Sequence, residues 1–248
     1  MLTAVALTGI PEVKPGDDLA RLIVDRVPEG PAAGDVLVIA HKVVSKAEGR
    51  LRALNDVEPG PEALRLANEL QKDPRHVQVV LDGARRVLRA ERGVLIVETV
   101  HGFVCANAGV DASNTGDPGT VVMLPLDPDA SAREIRRRIT KLSGTSPAIL
   151  ITDSFGRAWR HGQVDMAIGC AGLQPLEDWR GRADATGREL HATWIAIADE
   201  LAAAADLTRT KDGSQPVVLV RGAERHVRAD DGPGAAALIR PESEDLFR

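Results

Sequence analysis

The chain is poor in aromatic residues, with no tyrosine and three each of phenylalanine and tryptophan, and it has only two cysteines. Cys105 and Cys170 lie in separate apolar, strand-like segments without paired spacing, which argues against a disulfide framework and leaves buried free thiols in a reducing compartment. There is no CxxC and no paired histidine spacing, so nothing points to zinc. No apolar run approaches the ~18 residues of a membrane span, and the opening "MLTAVALTGIPEVKPGDD" has no basic leader. A cytoplasmic protein with no membrane partner is expected. An excess of one charge is missing too. The formal net charge is −5 with both signs interspersed, so no extended field exists to hold a polyanion, and nucleic-acid binding is not expected. Neither GxxxxGK[ST] nor a post-strand GxGxxG occurs, so a bound nucleotide would need another kind of fold.

What is present is ordinary apolar content with 23 glycines and 15 prolines, a mix that favours many short elements joined by turns. At 248 residues the chain can bury a substantial core. One catalytic unit over 1–248 is expected, with room for two intertwined subdomains. "KPGDD" stops the first apolar stretch, and Asp17 or Asp18 can cap a helix whose Leu19, Leu22, Ile23 and Val27 share one side. The run "VLVIA" at 36–40 reads as a buried strand leading directly into "HKVVSKAEGR". Residues 62–72 read as a helix. Short β-type runs follow near 77–81, 86–90, 94–98 and 102–106, separated by Asp-Gly and Arg-Gly signals, which predicts an antiparallel meander. Further strands are expected at 120–124, 147–152 and 216–221, and a helix around 196–206. In "REIRRRITK" (133–141), Ile135, Ile139 and the following Leu142 share a helical face, Ser131 and Glu134 have capping-box spacing, and the basic residues read as a solvated face. From Asp230 the tail reads as a loosely attached end. The expected class is α+β, with mixed, largely antiparallel sheets and flanking helices.

Three polar stretches stand out. In the first, Lys42, Ser45, Lys46 and Glu48 follow the 36–40 strand, where lysines four apart are either phosphate ligands or solvated side chains. In the second, "CANAGVDASNTG" (105–116), Gly109 lets backbone approach a ligand, Asp111 offers a hard oxygen, and Asn114 offers a donor and an acceptor for a base or ribose. An Asx-rich turn is the alternative. The third, "LITDSFGRAWRHGQVDMAIG" (150–169), sets Asp153 beside Ser154, a pair able to share Mg²⁺ or Mn²⁺ with nucleotide phosphate oxygens. If this piece turns like a helix, Arg157 and Arg160 point the same way and can clamp a carboxylate or phosphate, with Gln163 and Asp165 completing the polar lining. A surface ion-pair network around Trp159 is the alternative. None of the six histidines has a local partner that makes it a base, and only the locations of His41 and His161 draw notice.

At these stretches the chain resembles the coenzyme F420-0:γ-glutamyl ligase family. "GIPEVKPGDDL", "KVVSKAEGR", "ETVHGFVCANAGVDASN", "ITDSFGRAWRHGQVDMAIGCAG" and "AIADELAAAADL" look like that family's blocks in the same order, over positions 9 to about 222. The resemblance implies a family-specific ligase fold, a homodimer and a GTP-dependent reaction. In that reaction the terminal carboxylate of F420-0 is phosphorylated, the amine of L-glutamate attacks the acyl phosphate, and further rounds extend a γ-linked tail. It also implies Mg²⁺ or Mn²⁺, with K⁺ as a further candidate ion. Carried over by position, Asp111, Asp153 and Ser154 look like the metal set, while Asn114, Lys46 and the segment Ile10, Pro11, Glu12 and Val13 look like GTP contacts. His41 stands where the family usually has a serine that touches the nucleotide, and it is carried as a nucleotide contact. Lys46, Arg157, Arg160 and Asp165 are expected to serve catalysis. "LTRTKDGSQP" (207–216) departs from the family's Gly-containing nucleotide and metal segment. Some relatives carry a fused nitroreductase-like domain after this unit, and none is expected in a chain ending at Arg248. The alternatives are the same fold acting on another carboxylate acceptor or amino acid, and a nucleotide-binding module without turnover.

Overall fold

The run "VLVIA" is buried on both faces, and the rest of the fold is arranged around it. The computed structural model describes residues 1–210 and 212–247. The chain begins with β1 (Thr3–Ala6), α1 (Leu19–Val24), β2 (Val36–Ala40), α2 (His41–Ala47) and β3 (Leu51–Ala53). Two helices follow, α3 (Pro61–Leu70) and α4 (Pro74–Asp82), and then β4 (Ala84–Glu91), β5 (Val94–Thr99), β6 (Val104–Ala106) and β7 (Thr120–Val122). The second half holds α5 (Pro128–Ser143), β8 (Ala148–Arg157), β9 (Arg160–Ala171), β10 (Glu177–Asp178), β11 (Trp194–Ile195), α6 (Ile197–Asp206) and β12 (Val217–Arg221).

Among the described residues the main sheet has the order β1-β12-β2-β8-β9, in which β2 and β8 run parallel and the other neighbours antiparallel. Alternate residues of its inner strands point to opposite faces, as strand geometry requires. Leu37, Ile39, Ile149, Ile151, Val217 and Leu219 meet α1 and α5 on one face. Val36, Val38, Leu150, Val218 and Val220 meet α6 on the other. Each fully buried Val, Leu or Ile of this kind contributes about 1.5–3 kcal/mol relative to exposure. A third apolar cluster joins α3, α4 and β5 through Leu66, Leu70, Val77, Val80, Leu95 and Val97. The expected meander is present as antiparallel β4-β5-β6, turning through Arg92 and Gly93, both with positive φ as a two-residue hairpin demands. The mixed, largely antiparallel α+β class is thus observed. No helix among the described residues is long and apolar enough to cross a membrane.

Five expectations need correction. The run near 77–81 is helix, not strand. Asp73 caps Arg75 N at 2.9 Å, Pro74 opens α4, and Val77 and Val80 share the buried side, so capping and 3.6-residue packing override the β preference of valine. Helix α5 starts earlier than the Ser131–Glu134 spacing suggested. Asp127 accepts from Ala130 N at 2.8 Å, Ser131 Oγ donates to Glu48, and Glu134 pairs with Arg137. Its basic face is not wholly solvated, because Arg136 is buried and donates to Pro147 O, Asp231 and the Arg228 carbonyl. The same contacts tie down part of the tail, as does Asp129, which accepts from Cys170 N at 2.8 Å and Ala235 N at 2.7 Å. Finally, 153–165 does not turn like a helix: it is the β8–β9 hairpin.

Candidate functional site

Helix α2 springs from β2 with no intervening loop, and that junction aims its side chains at the segment 111–114. Lys42 Nζ lies 2.7 Å from Asp111 Oδ2 and 2.6 Å from Ser113 Oγ. One helical turn on, the buried Lys46 ammonium donates to Asn114 O at 2.6 Å and forms an ion pair with Glu12. Burial by itself would raise the Asp111 carboxyl, but its hydrogen bond from Lys42, the Ser113 amide and the lysine charge outweigh it and hold the group below its ordinary value. Both lysines are therefore fixed by the 111–114 turn. The turn is also Asx-like, with Ser113 N donating to Asp111 Oδ1 at 2.6 Å. In the 10–13 segment Ile10 and Val13 are core side chains, whereas Pro11 and Glu12 are exposed.

The middle of β8, which continues beyond the expected strand end at 152, supplies Asp153 and Ser154 to the same place. His41 at the start of α2 is 2% exposed, and its Nε2 lies 3.3 Å from Asp153 Oδ1 without the alignment of a hydrogen bond. Its Nδ1 is 3.4 Å from Ser45 Oγ. Asp165, directly across the hairpin from Ser154, is buried. It accepts from Ser154 Oγ at 2.6 Å and Thr152 Oγ1 at 2.8 Å and forms an ion pair with Arg209. Arg157 and Arg160 face one another at the hairpin closure, so cross-strand pairing rather than helical spacing relates them. The Arg157 guanidinium is occupied by the His161 carbonyl at 2.5 Å.

A cleft of about 320 Å³ runs between these elements, lined by His76, Asn107, Asp111, Asp153, Ser154 and Gln163 among others. Of the residues singled out from sequence for a ligand, Gly109, Asp111, Asp153, Ser154 and Gln163 line it directly. Lys42 touches its wall through Asp111, and Lys46 braces Asn114 beside it. Arg157, Arg160 and Asp165 do not line it. The cleft wall at 107–109 has three successive positive φ angles, an unusual backbone for Asn107 and Ala108, and Lys72 Nζ steadies it by donating to Asn107 Oδ1 at 2.9 Å. Gly109 is needed for packing as well: a Cβ there would sit 2.7 Å from Leu124. Cys105 also borders the cleft, and burial followed by the Asp153 charge pushes its thiol up to about 12. Sequence reading passed over His76, Asn107 and Arg209. The first two stand out only through shape, and Arg209 only through its partner far away in the chain. Lys211 of the 207–216 stretch lies outside the described residues.

Asp111, Asp153 and Ser154 are hard oxygen donors on one cleft. Among the described residues no three His, Cys, Asp or Glu side chains converge as a self-sufficient metal site. Such a donor set fits Mg²⁺ or Mn²⁺ better than a structural ion, because these cations accept one or two protein carboxylates and take their other ligands from water and phosphates.

Residues 9–222 match the family described as F420-0:Gamma-glutamyl ligase. The coenzyme F420:L-glutamate ligase of Methanopyrus kandleri is 48% identical over 239 residues, spanning 96% of this chain and 94% of the relative. The enzyme of the same name from Methanothermobacter thermautotrophicus is 42% identical over 252 residues, spanning 100% and 99%. That of Methanocaldococcus jannaschii is 45% identical over 216 residues, spanning 87% and 85%.

Proposed function

Because the chain belongs to the F420-0:Gamma-glutamyl ligase family, we propose that it joins L-glutamate to coenzyme F420-0 at the expense of GTP. The observation that carries this reading is the convergence of Lys42, Lys46, Asp111, Asp153 and Ser154 around one cleft from three separate stretches of chain. The terminal carboxylate of F420-0 attacks the γ-phosphorus, the bond to the β-bridging oxygen breaks, and GDP leaves. The glutamate amine then attacks the acyl carbon, inorganic phosphate leaves, and the nitrogen loses a proton as the amide forms. Repetition on the new terminal carboxylate extends the γ-linked tail.

In the first step two anions meet, so positive charge at the phosphates is the chief requirement. Lys46 supplies it from a buried position beside Asn114, and Lys42 supplies it one turn away. Glu12 and Ser113 now share those ammonium groups, and a phosphate would take over from them. Asp111, Asp153 and Ser154 would hold the divalent cation, which supplies charge neutralisation to the phosphate oxygens when bound. The left-handed Asn107–Gly109 wall and Gln163 shape the other side of the cleft for the acceptor. Arg157 and Arg160 at the hairpin closure contribute to catalysis only by reaching a long anionic acceptor from outside. We assign the working form as a homodimer, to be read as twice the chain mass by light scattering.

Incubation with F420-0, L-glutamate, GTP and Mn²⁺ should give products stepped by single glutamyl units in mass spectrometry, accompanied by GDP. A folded protein that forms no such ladder would remove the reading. If GTP-dependent phosphate release appears only with another carboxylate acceptor, the fold is retained and the substrate is reassigned.

A further inference from the structure

Beneath Ser154 lies a buried polar unit that the reaction above leaves unused. Asp165 is 4% exposed, and its two carboxylate oxygens are divided between neighbours: Oδ1 accepts from Ser154 Oγ at 2.6 Å, and Oδ2 accepts from Thr152 Oγ1 at 2.8 Å and meets Arg209 Nη2. The same guanidinium reaches Thr152 Oγ1 at 3.2 Å, Asp206 Oδ1 at 3.5 Å and the Pro216 carbonyl at 3.4 Å, and its side chain is 8% exposed. The polarity of these bonds is consistent. Arg209 can only donate, the carboxylate of an ion pair only accepts, and the Thr152 hydroxyl donates to Asp165 while accepting from Arg209.

Ser154 is the one member of this unit that also lines the cleft. A serine hydroxyl carries a single hydrogen, and here it points inward to Asp165. Turning it outward would leave a buried carboxylate oxygen short of a hydrogen bond, an unfavourable exchange for a carboxylate that is 4% exposed. We propose that Asp165 and Arg209 are positioning residues that keep the Ser154 oxygen acceptor-only toward the cleft, the polarity suited to a divalent cation and unsuited to donating to a phosphate. Arg209 provides the countercharge that lets Asp165 stay buried in this role, since an unpaired buried carboxylate is costly. The inference rests on the reading of Ser154 as part of the metal set, and it assigns work to an arginine in the 207–216 stretch.

Mn²⁺ binding to the whole protein, followed by the free-ion electron paramagnetic resonance signal without substrates, tests this without turnover. Asp153→Asn should weaken binding in the wild-type background. If it does not, the metal reading itself fails and the proposal falls with it. Asp165→Asn turns an amide N–H toward Ser154 and leaves Arg209 with Asp206. The neutral pair Asp165→Asn with Arg209→Met avoids any unmatched charge. Whichever of the two keeps the wild-type unfolding transition should bind Mn²⁺ about tenfold or more weakly, the size expected when a group orienting a metal ligand is lost. In a Ser154→Ala background the same change should alter binding by less than about twofold, because the oxygen it acts through is gone. Unchanged binding in a folded variant, or an equal loss with and without Ser154, overturns the proposal.

Discussion

Lys46 shows how much a single residue decides at this site. Its ammonium is buried between the Glu12 carboxylate and the Asn114 carbonyl, whereas Glu12 itself is exposed, so Lys46→Met leaves no charge stranded in the interior. The expected result is a folded protein, by circular dichroism, whose GTP-dependent phosphate release falls about 100-fold or more in kcat/KM. The two thiols make a second residue-level prediction. Burial pushes both Cys105 and Cys170 up to about 12 from an ordinary value of 9.0. Native protein at pH 8 should therefore react slowly with a thiol reagent at both positions and quickly after denaturation. Above about pH 9 the unfolded chain releases thiol protons that the native state retains, so this contribution to stability, complete below pH 9, is lost as pH rises toward 12. The sequence was legible at single residues where the signal was local. Asp153 beside Ser154, and Asp111 after an apolar run, all reach the cleft, although β8 runs on past the expected strand end. The sequence could not show that Asp165 faces inward or that Arg209 balances it, since their pairing joins positions from different elements.

Among the elements, α5 gives the clearest case of rival signals. Ser131 and Glu134 have the spacing of a helix start, but Asp127 followed by Pro128 stands one turn earlier and takes the cap. Asp127→Ala should lower stability by about 1 kcal/mol in denaturant titration. Helix α5 also lies so close on β9 that a Cβ at Gly169 would come within 2.4 Å of the Pro128 carbonyl oxygen. Gly169→Ala should cost about 1–3 kcal/mol, with the loss read from the same titration. Strands β2 and β12 and the first half of β8 were legible because their residues are apolar on both faces and short in run, as "VLVIA" illustrates, whereas β9 and the outer half of β8 were hidden by their polar residues. The segment "VQVVL" misled because its valines favour a strand, while the Asp73 cap, Pro74 and a partner surface on α3 and β5 favour a helix.

For the whole molecule, the side chains of Asp129 and Arg136 on α5 join the central layers to the residues after 227. Asp129→Ala should speed hydrogen exchange at the Ala235 amide well before it changes global unfolding, because that amide loses its acceptor while the three apolar clusters remain. The mixed class of the fold was readable from the alternation of short apolar runs with turn signals. The strand order was not, since it depends on pairings across most of the chain. That order has a consequence in time. Strand β12 lies between β1 and β2, although more than two-thirds of the chain separates it from both. On a ribosome, the first two strands emerge early and must wait, unpaired with one another, until Val217–Arg221 has been made and has left the exit tunnel. Closing such a distant pairing is slow, and exposed strand edges invite aggregation meanwhile. Nascent chains halted before Val217 should thus remain protease-sensitive and dependent on chaperones, and resistance should arrive in one late step once β12 is free to slide between its neighbours.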